Sequence, residues 1–153
     1  RAPDTGDGDH ERRLTERGRR DARYLAHRLT DLGWVPERVL CSDAARTVET
    51  WSRMSDLFPV PMFVLTTPVL YSAGLDELSA VLAEQSDAVG SVMVIGHNPG
   101  WEEVVFQLTG EIVPMGTANA ALLTRSGERG WSDALEAGSW QLVSVVRPKD
   151  PHG

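Results

Sequence analysis

The sequence contains a single cysteine, Cys41, among its 153 residues. One cysteine can form neither an intrachain disulfide nor a cysteine-built metal site, which predicts a reducing compartment, the cytoplasm. No apolar run reaches the length of a membrane-spanning helix, because the longest candidates are interrupted by proline or end at Gly96. The sequence therefore predicts no association with a membrane.

Positive charge is also scarce, since the formal net charge is -7. Nucleic acids and anionic membranes repel a chain of that sign, so neither is a predicted partner. The sequence also lacks a glycine-rich P-loop with its lysine and a His-x-x-x-His metal pair. We therefore predict no cofactor and no bound metal.

What the sequence does contain is an alternation of short apolar strands and amphipathic helices. Strands are predicted at 39–41, 62–65, 91–95, 118–124 and 140–146, and helices at 46–58, 75–82, 101–108 and after Thr15. No helix pattern separates the last two strands, which favours an antiparallel pair at one side of the sheet. The predicted fold class is α/β, a three-layer α/β/α sandwich with a mostly parallel sheet and an antiparallel edge, in one domain over 1–153.

Two helices have predicted apolar stripes that would face the core. In the first helix, after the N-cap Thr15, the stripe comprises Ala22, Leu25, Ala26, Leu29 and Leu32. In the second helix it comprises Val48, Trp51, Met54 and Phe58.

His97 stands in the turn Gly96-His97-Asn98-Pro99-Gly100, directly after the apolar strand 91–95. Four apolar residues in a row, 92–95, predict a strand covered on both faces. Open α/β sheets bind ligands outside the carboxyl ends of their strands, so His97 is a candidate site residue. The alternative is a histidine that only packs or caps the strand.

Arg46 is predicted in the first turn of the helix that follows strand 39–41. A helix N-terminus carries partial positive charge and favours anions, so a cation is locally unfavourable there. An arginine at this position is expected if its guanidinium and the N–H groups of the helix bind the same anion. The guanidinium fork suits phosphate oxygens. The alternative is a surface arginine paired with Asp43 or Glu49.

These residues carry a resemblance to a known family. The run from Ser42 to Thr50, SDAARTVET, and the later VIGHNP ending at Pro99 resemble the histidine phosphatase superfamily, which is phosphoglycerate mutase-like in fold. Asp9-His-Glu-Arg-Arg-Leu-Thr-Glu-Arg-Gly18 and LVSVVRPKD at 142–150 are similar to its short bacterial phosphohistidine phosphatases of the SixA type.

The resemblance implies a metal-independent phosphatase that works through a phosphohistidine intermediate. Arg46 and His97 would be catalytic, and both would bind the phosphoryl group together with Asn98. The substrate would be phosphohistidine on a protein or another small phosphorylated compound. Family members begin with a strand that ends in Arg-His and supplies the nucleophile, whereas residues 1–10 here resemble the loop after that motif. We therefore expect such a strand to precede Arg1.

The remaining histidines do not replace that nucleophile. His10 is predicted in a loop rich in glycine and aspartate, where it is either a solvated residue or a substrate contact. His27 is predicted on the surface of a helix, and His152 in the C-terminal tail. No general acid is assigned, because Asp76 and Glu77 fit the first turn of a helix. That gap favours the labile phosphohistidine as substrate.

Two other function classes remain open. The first is a non-catalytic phospholigand-binding or adaptor protein of the same fold, which the presence or absence of the Arg-His motif would decide. The second is a different hydrolase, but His97 stands where a nucleophile elbow needs serine. The arginines at 12, 13, 17, 19, 20 and 23 form either a solvated face or a docking surface for an acidic phosphorylated partner.

Overall fold

The computed structural model describes residues 10–98, 100–126 and 130–148. The helices are α1 (Glu16–Asp31), α2 (Ala45–Ser55), α3 (Leu75–Ala83) and α4 (Gly100–Thr109), and a short 3₁₀ helix covers Pro68–Leu70. The strands are β1 (Arg38–Ser42), β2 (Phe63–Thr67), β3 (Val92–Ile95), β4 (Ala120–Thr124) and β5 (Gln141–Val146). Of the residues used in the sequence predictions, Arg1, Asp9, Pro99, Lys149, Asp150 and His152 lie outside the described ranges.

Three strands form a parallel sheet in the order β2-β1-β3, with β1 at its centre. Cys41 of β1 lies opposite Ile95 of β3, so the two strands end at nearly the same level. The β1–α2 turn and the β3–α4 turn therefore emerge side by side. This register is what brings the two sequence motifs to one edge of the sheet.

Apolar side chains pack on both faces of this sheet. On one face Leu40 packs with Leu78, Val81 and Leu82 of α3 and with Val104 and Leu108 of α4. On the other face α1 and α2 pack over Met93 and over Leu122 and Val146 of the antiparallel pair. Val92 and Val94 join the first cluster and Met93 the second, as the alternation of side chains along a strand requires. The predicted α/β class, mostly parallel with an antiparallel pair, is confirmed.

The arrangement of the strands differs from the prediction in two respects. In the described residues β4 and β5 pair only with each other, as a separate two-stranded sheet, instead of forming the edge of the parallel one. Strand β3 is only half-buried along its length, where the apolar run predicted a strand covered on both faces. The reason is that β3 pairs with β1 alone among the described strands and so has a single hydrogen-bonded neighbour.

The helices also depart from the predicted stripes at their ends. Thr15 is the N-cap of α1, as predicted, and its side chain accepts a hydrogen bond from the Gly18 N–H. Leu32 is exposed because it is the C-cap and turns away from the core. Helix α2 ends at Ser55 instead of reaching Phe58, and Val48 is exposed on it. The side of α2 that is buried holds Thr47 and Glu49, because polar contacts, not only apolar ones, attach this helix to its neighbours.

Within the described residues, no helix combines the length and the apolar character needed to cross a membrane.

Candidate active site

The turn between β1 and α2 is held by side chains from its own sequence. The Thr47 hydroxyl lies 2.9 Å from the Ser42 carbonyl oxygen and 2.8 Å from that of Ala44. The Ala44 N–H donates to Ser42 Oγ at 3.2 Å, and Ser42 is fully buried. Ala44 is the N-cap of α2 and has no side chain that could cap the helix. The first turn of α2, which carries Arg46, is therefore an N-terminus suited to an anion.

The turn between β3 and α4 depends on close contacts that only glycine allows. A Cβ on Gly96 would lie 2.3 Å from the Trp101 ring, and a Cβ on Gly100 would lie 2.3 Å from the Ala73 carbonyl oxygen. Neither approach is compatible with a larger residue at the same backbone position. The two glycines thus let the chain turn tightly on both sides of His97.

The side chains of Arg46 and His97 meet although they are 51 positions apart in sequence. Arg46 Nη2 lies 3.0 Å from His97 Nδ1, and His97 Nε2 lies 2.9 Å from Ser42 Oγ. A guanidinium group only donates, so Nδ1 accepts and the ring proton is on Nε2, which donates to the serine. Arg46 and His97, which the resemblance assigns to one phosphoryl group, are thus in direct contact, and their roles remain a prediction.

Asn98, the third predicted binding residue, uses its amide elsewhere. Its Nδ2 donates to the Met115 carbonyl oxygen at 2.7 Å, and the Met115 N–H donates to Glu102 Oε2 at 3.0 Å. These bonds fix the segment after α4 against the start of that helix. A contact between Asn98 and a substrate remains a prediction.

Aromatic rings line one side of His97. Tyr71 packs edge-on against His97, with ring centroids 5.1 Å apart, and also against His10 at the same separation. His10 Nε2 in turn lies 2.8 Å from Asp43 Oδ1. The sequence predictions missed Ser42, Asp43 and Tyr71 as neighbours of the site. Ser42 and Asp43 stood inside the motif with Arg46, but no local pattern marked Tyr71.

A buried carboxylate lies one helical turn beyond Arg46. Glu49 Oε2 accepts a hydrogen bond from Arg19 Nε at 2.6 Å, and Glu49 Oε1 accepts one from the Leu14 N–H at 3.0 Å. The Arg19 hydrogen bond is the main reason that the pKa of Glu49 is lowered to about 2. Asp43 thus binds His10, and Glu49 binds Arg19. Burial raises the pKa of the Cys41 thiol to about 11, so it is a poor nucleophile.

Comparison with known proteins identifies the family. Residues 4–87 match the model of the histidine phosphatase superfamily, branch 1. The chain belongs to the histidine phosphatase superfamily. An uncharacterized chloroplastic protein of Arabidopsis thaliana is 37% identical, over 92% of this chain and 69% of that protein. An uncharacterized protein of Mycobacterium leprae is 33% identical, over 90% of this chain and 82% of its own length.

Solved structures of SixA type resemble this chain over nearly its whole length. A protein of Nakamurella multipartitia, described as a phosphohistidine phosphatase SixA, is 29% identical with a TM-score of 0.76, over 95% of this chain and 90% of that one. A protein histidine phosphatase SixA complexed with tungstate is 28% identical with a TM-score of 0.77, over 96% and 90% of the two chains. The phosphoglycerate mutase of Plasmodium falciparum shares the fold at 17% identity and a TM-score of 0.51, over 62% and 69%.

Proposed function

We propose that this protein is a metal-independent phosphatase that works through a phosphohistidine intermediate and acts on phosphohistidine in a protein or on another small phosphorylated substrate. The observation that carries the proposal is the 3.0 Å contact between Arg46 and His97 at the uncapped start of α2. Membership in the histidine phosphatase superfamily supports it. So does the SixA structure that holds tungstate, a tetrahedral oxyanion like phosphate.

In this proposal Arg46 and His97 bind the phosphoryl oxygens. An arriving oxygen competes with Nδ1 of His97 for the Arg46 donors, and Nδ1, once protonated, donates to the same phosphoryl group. Ser42 holds the other ring nitrogen, at 2.9 Å, and so keeps the imidazole in place during the exchange. Donors fixed before the reaction stabilise the charge that grows on the equatorial oxygens in the transition state.

The nucleophile in this proposal is a histidine at the end of a strand that precedes Arg1. Its nitrogen forms a bond to phosphorus while the bond to the leaving group breaks, and water then releases phosphate from it. Strand β3 and the β4–β5 pair contribute Met93, Leu122 and Val146 to one core cluster, yet no ladder joins them among the described strands. A further strand between them would complete one continuous sheet beside His97.

The test uses the protein expressed from its full reading frame. We expect His97→Ala to lower kcat/KM about a hundredfold, as the loss of one fixed donor commonly does. Arg46→Ala should also weaken the binding of vanadate, because a clamp acts in the ground state and in the transition state. His27→Ala, which changes an exposed histidine of α1, is the matched control and should match the wild type.

Two results would contradict the proposal. Full activity in His97→Ala would exclude the role given to this residue. A reading frame without an Arg-His motif upstream of Arg1, together with vanadate binding that needs Arg46 but no turnover, would establish the non-catalytic phospholigand-binding protein instead.

A further inference from the structure

His10 and Asp43 form a hydrogen-bonded pair that the proposed chemistry does not use. Their side chains are only about one third exposed, at 35% and 33%, and His10 Nε2 lies 2.8 Å from Asp43 Oδ1. Asp43 lies in the same turn as Arg46, three residues before it. The carboxylate therefore fixes the histidine ring to the turn that carries the proposed phosphoryl site.

The ring of His10 is also oriented by Tyr71. The Tyr71 ring stands between His10 and His97, at 5.1 Å from each and with interplanar angles of 64° and 71°. His10 is thus one ring removed from the histidine that would hold the phosphoryl oxygens. Its Nδ1 makes no hydrogen bond within the described ranges, so this nitrogen can serve a bound molecule.

An open groove of about 630 Å³ begins from this pair. Its lining combines His10 and Asp43 with Ala45, Val48 and Ser52 of α2 and with four further charged residues, Glu11, Arg13, Glu49 and Arg53. The volume exceeds what a phosphoryl group alone needs. Arg46 and His97 do not line this groove, but Ala45 does and directly precedes Arg46 in α2. A substrate whose phosphoryl group lies on Arg46 would therefore extend its remaining part along α2 and past His10.

We propose that protonated His10 is the general acid that donates a proton from Nδ1 to the leaving atom of the substrate, with Asp43 as its positioning residue. The inference rests on the proposed phosphatase function. Asp43 accepts a hydrogen bond from Nε2–H and holds the ring in place, so that Nδ1–H is left to donate to the substrate. The substrate class is a phosphorylated nitrogen or oxygen whose leaving group is too basic to depart without a proton.

The proton and electron balance closes over two half-reactions. First, the nucleophilic histidine forms a P–N bond, the bond from phosphorus to the leaving atom breaks, and that atom keeps the electron pair and takes the Nδ1 proton of His10. Then neutral His10 takes a proton from water, the water oxygen bonds to phosphorus, and the P–N electron pair returns to the nucleophile. The products are phosphate and the protonated leaving group, and His10 is again protonated.

The experiment measures kcat/KM for a series of aryl phosphates from 4-nitrophenyl phosphate, with a good leaving group, to phenyl phosphate, with a poor one. The kcat/KM value reports the step in which the leaving group departs. In His10→Asn of the full-length protein we expect about a hundredfold loss on phenyl phosphate and less than about threefold on 4-nitrophenyl phosphate. Asp43→Asn should show a smaller loss with the same dependence on the leaving group.

His27→Asn, an exposed histidine-to-asparagine change on α1, is the matched control and should leave the whole series unchanged. An equal loss across the series in His10→Asn, or no loss, overturns the role of His10 while the proposed function stands. If His10→Asn does not fold, as judged by circular dichroism, an equal loss across the series in Asp43→Asn overturns it. A wild-type protein that is inactive on these aryl phosphates and also on a phosphohistidine-containing protein refutes the proposed function, and this inference with it.

Discussion

The buried carboxylate of Glu49 provides a quantitative test of how the helix that carries Arg46 is held. Glu49 is only 5% exposed, and it lies on α2 one turn after Arg46. It accepts hydrogen bonds from the Leu14 N–H, from Arg19 Nε of α1 and, at 3.4 Å, from Arg53 Nη2 of α2 itself. Glu49→Gln keeps the shape of the side chain and removes its charge.

The expected loss follows from these contacts. Hydrogen bonds to a charged group contribute roughly 1.5–3 kcal/mol each, and breaking a fully buried ion pair costs about 3–5 kcal/mol. Arg19 and Arg53 are about one third exposed, so water can solvate them once the carboxylate is gone. We therefore expect the free energy of unfolding to fall by about 2–3 kcal/mol. For a chain of this size the melting temperature should fall by about 5–10 °C.

The effect should also depend on pH in a defined direction. Glu49 has its pKa lowered from 4.5 to about 2, first of all by the Arg19 hydrogen bond. The unfolded chain takes up this proton at a higher pH than the folded chain does. The stabilisation is therefore complete above pH 4.5 and is lost as the pH falls toward about 2. The difference in the free energy of unfolding between wild type and Glu49→Gln should therefore become smaller as the pH falls from 4.5 to about 2.

Urea unfolding followed by tryptophan fluorescence measures the free energy of unfolding of each variant, and repeating it at several pH values measures the pH dependence. The matched control is Glu103→Gln, which removes the same charge from an exposed position on α4. If Glu49→Gln unfolds with the same free energy as this control, or if its deficit persists unchanged at pH 2, the carboxylate does not hold α1 to α2 in the way that its contacts indicate.

Three further outcomes are expected. Gly96→Ala should cost about 1–3 kcal/mol, since its Cβ would lie 2.3 Å from the Trp101 ring, whereas Gly116→Ala, with its nearest neighbour at 3.9 Å, should be neutral; equal melting temperatures would contradict this. Cys41 should react slowly with thiol reagents in the folded protein and rapidly in urea, because it is buried with a raised pKa; equal rates would refute its burial. Chelators should leave turnover unchanged, and a loss that a divalent ion restores would point to a metal-dependent hydrolase.

The sequence by itself predicted where the main strands and helices lie and that both motifs follow strands of the parallel sheet. Apolar runs located β1 and β3, and helical periodicity located α1 and α2, because burial on a regular element imposes its period on the sequence. Parallel strands end at one edge of their sheet, so the residues just after β1 and β3 were expected at the same edge. The direct contact of Arg46 with His97 also requires that β1 and β3 be neighbouring strands in register, which the folded sheet shows.

The tertiary structure alone decided which side chains surround these two. Tyr71 lies between His10 and His97 because the 3₁₀ helix after β2 packs beside β1, and no local pattern encodes a contact across that distance. The exposure of Val48 and the burial of Glu49 reverse what hydrophobicity predicts. Their positions depend on partners such as Arg19, which a different segment supplies. Periodicity specifies one face of a helix, whereas polar contacts across segments exist only once the chain has folded.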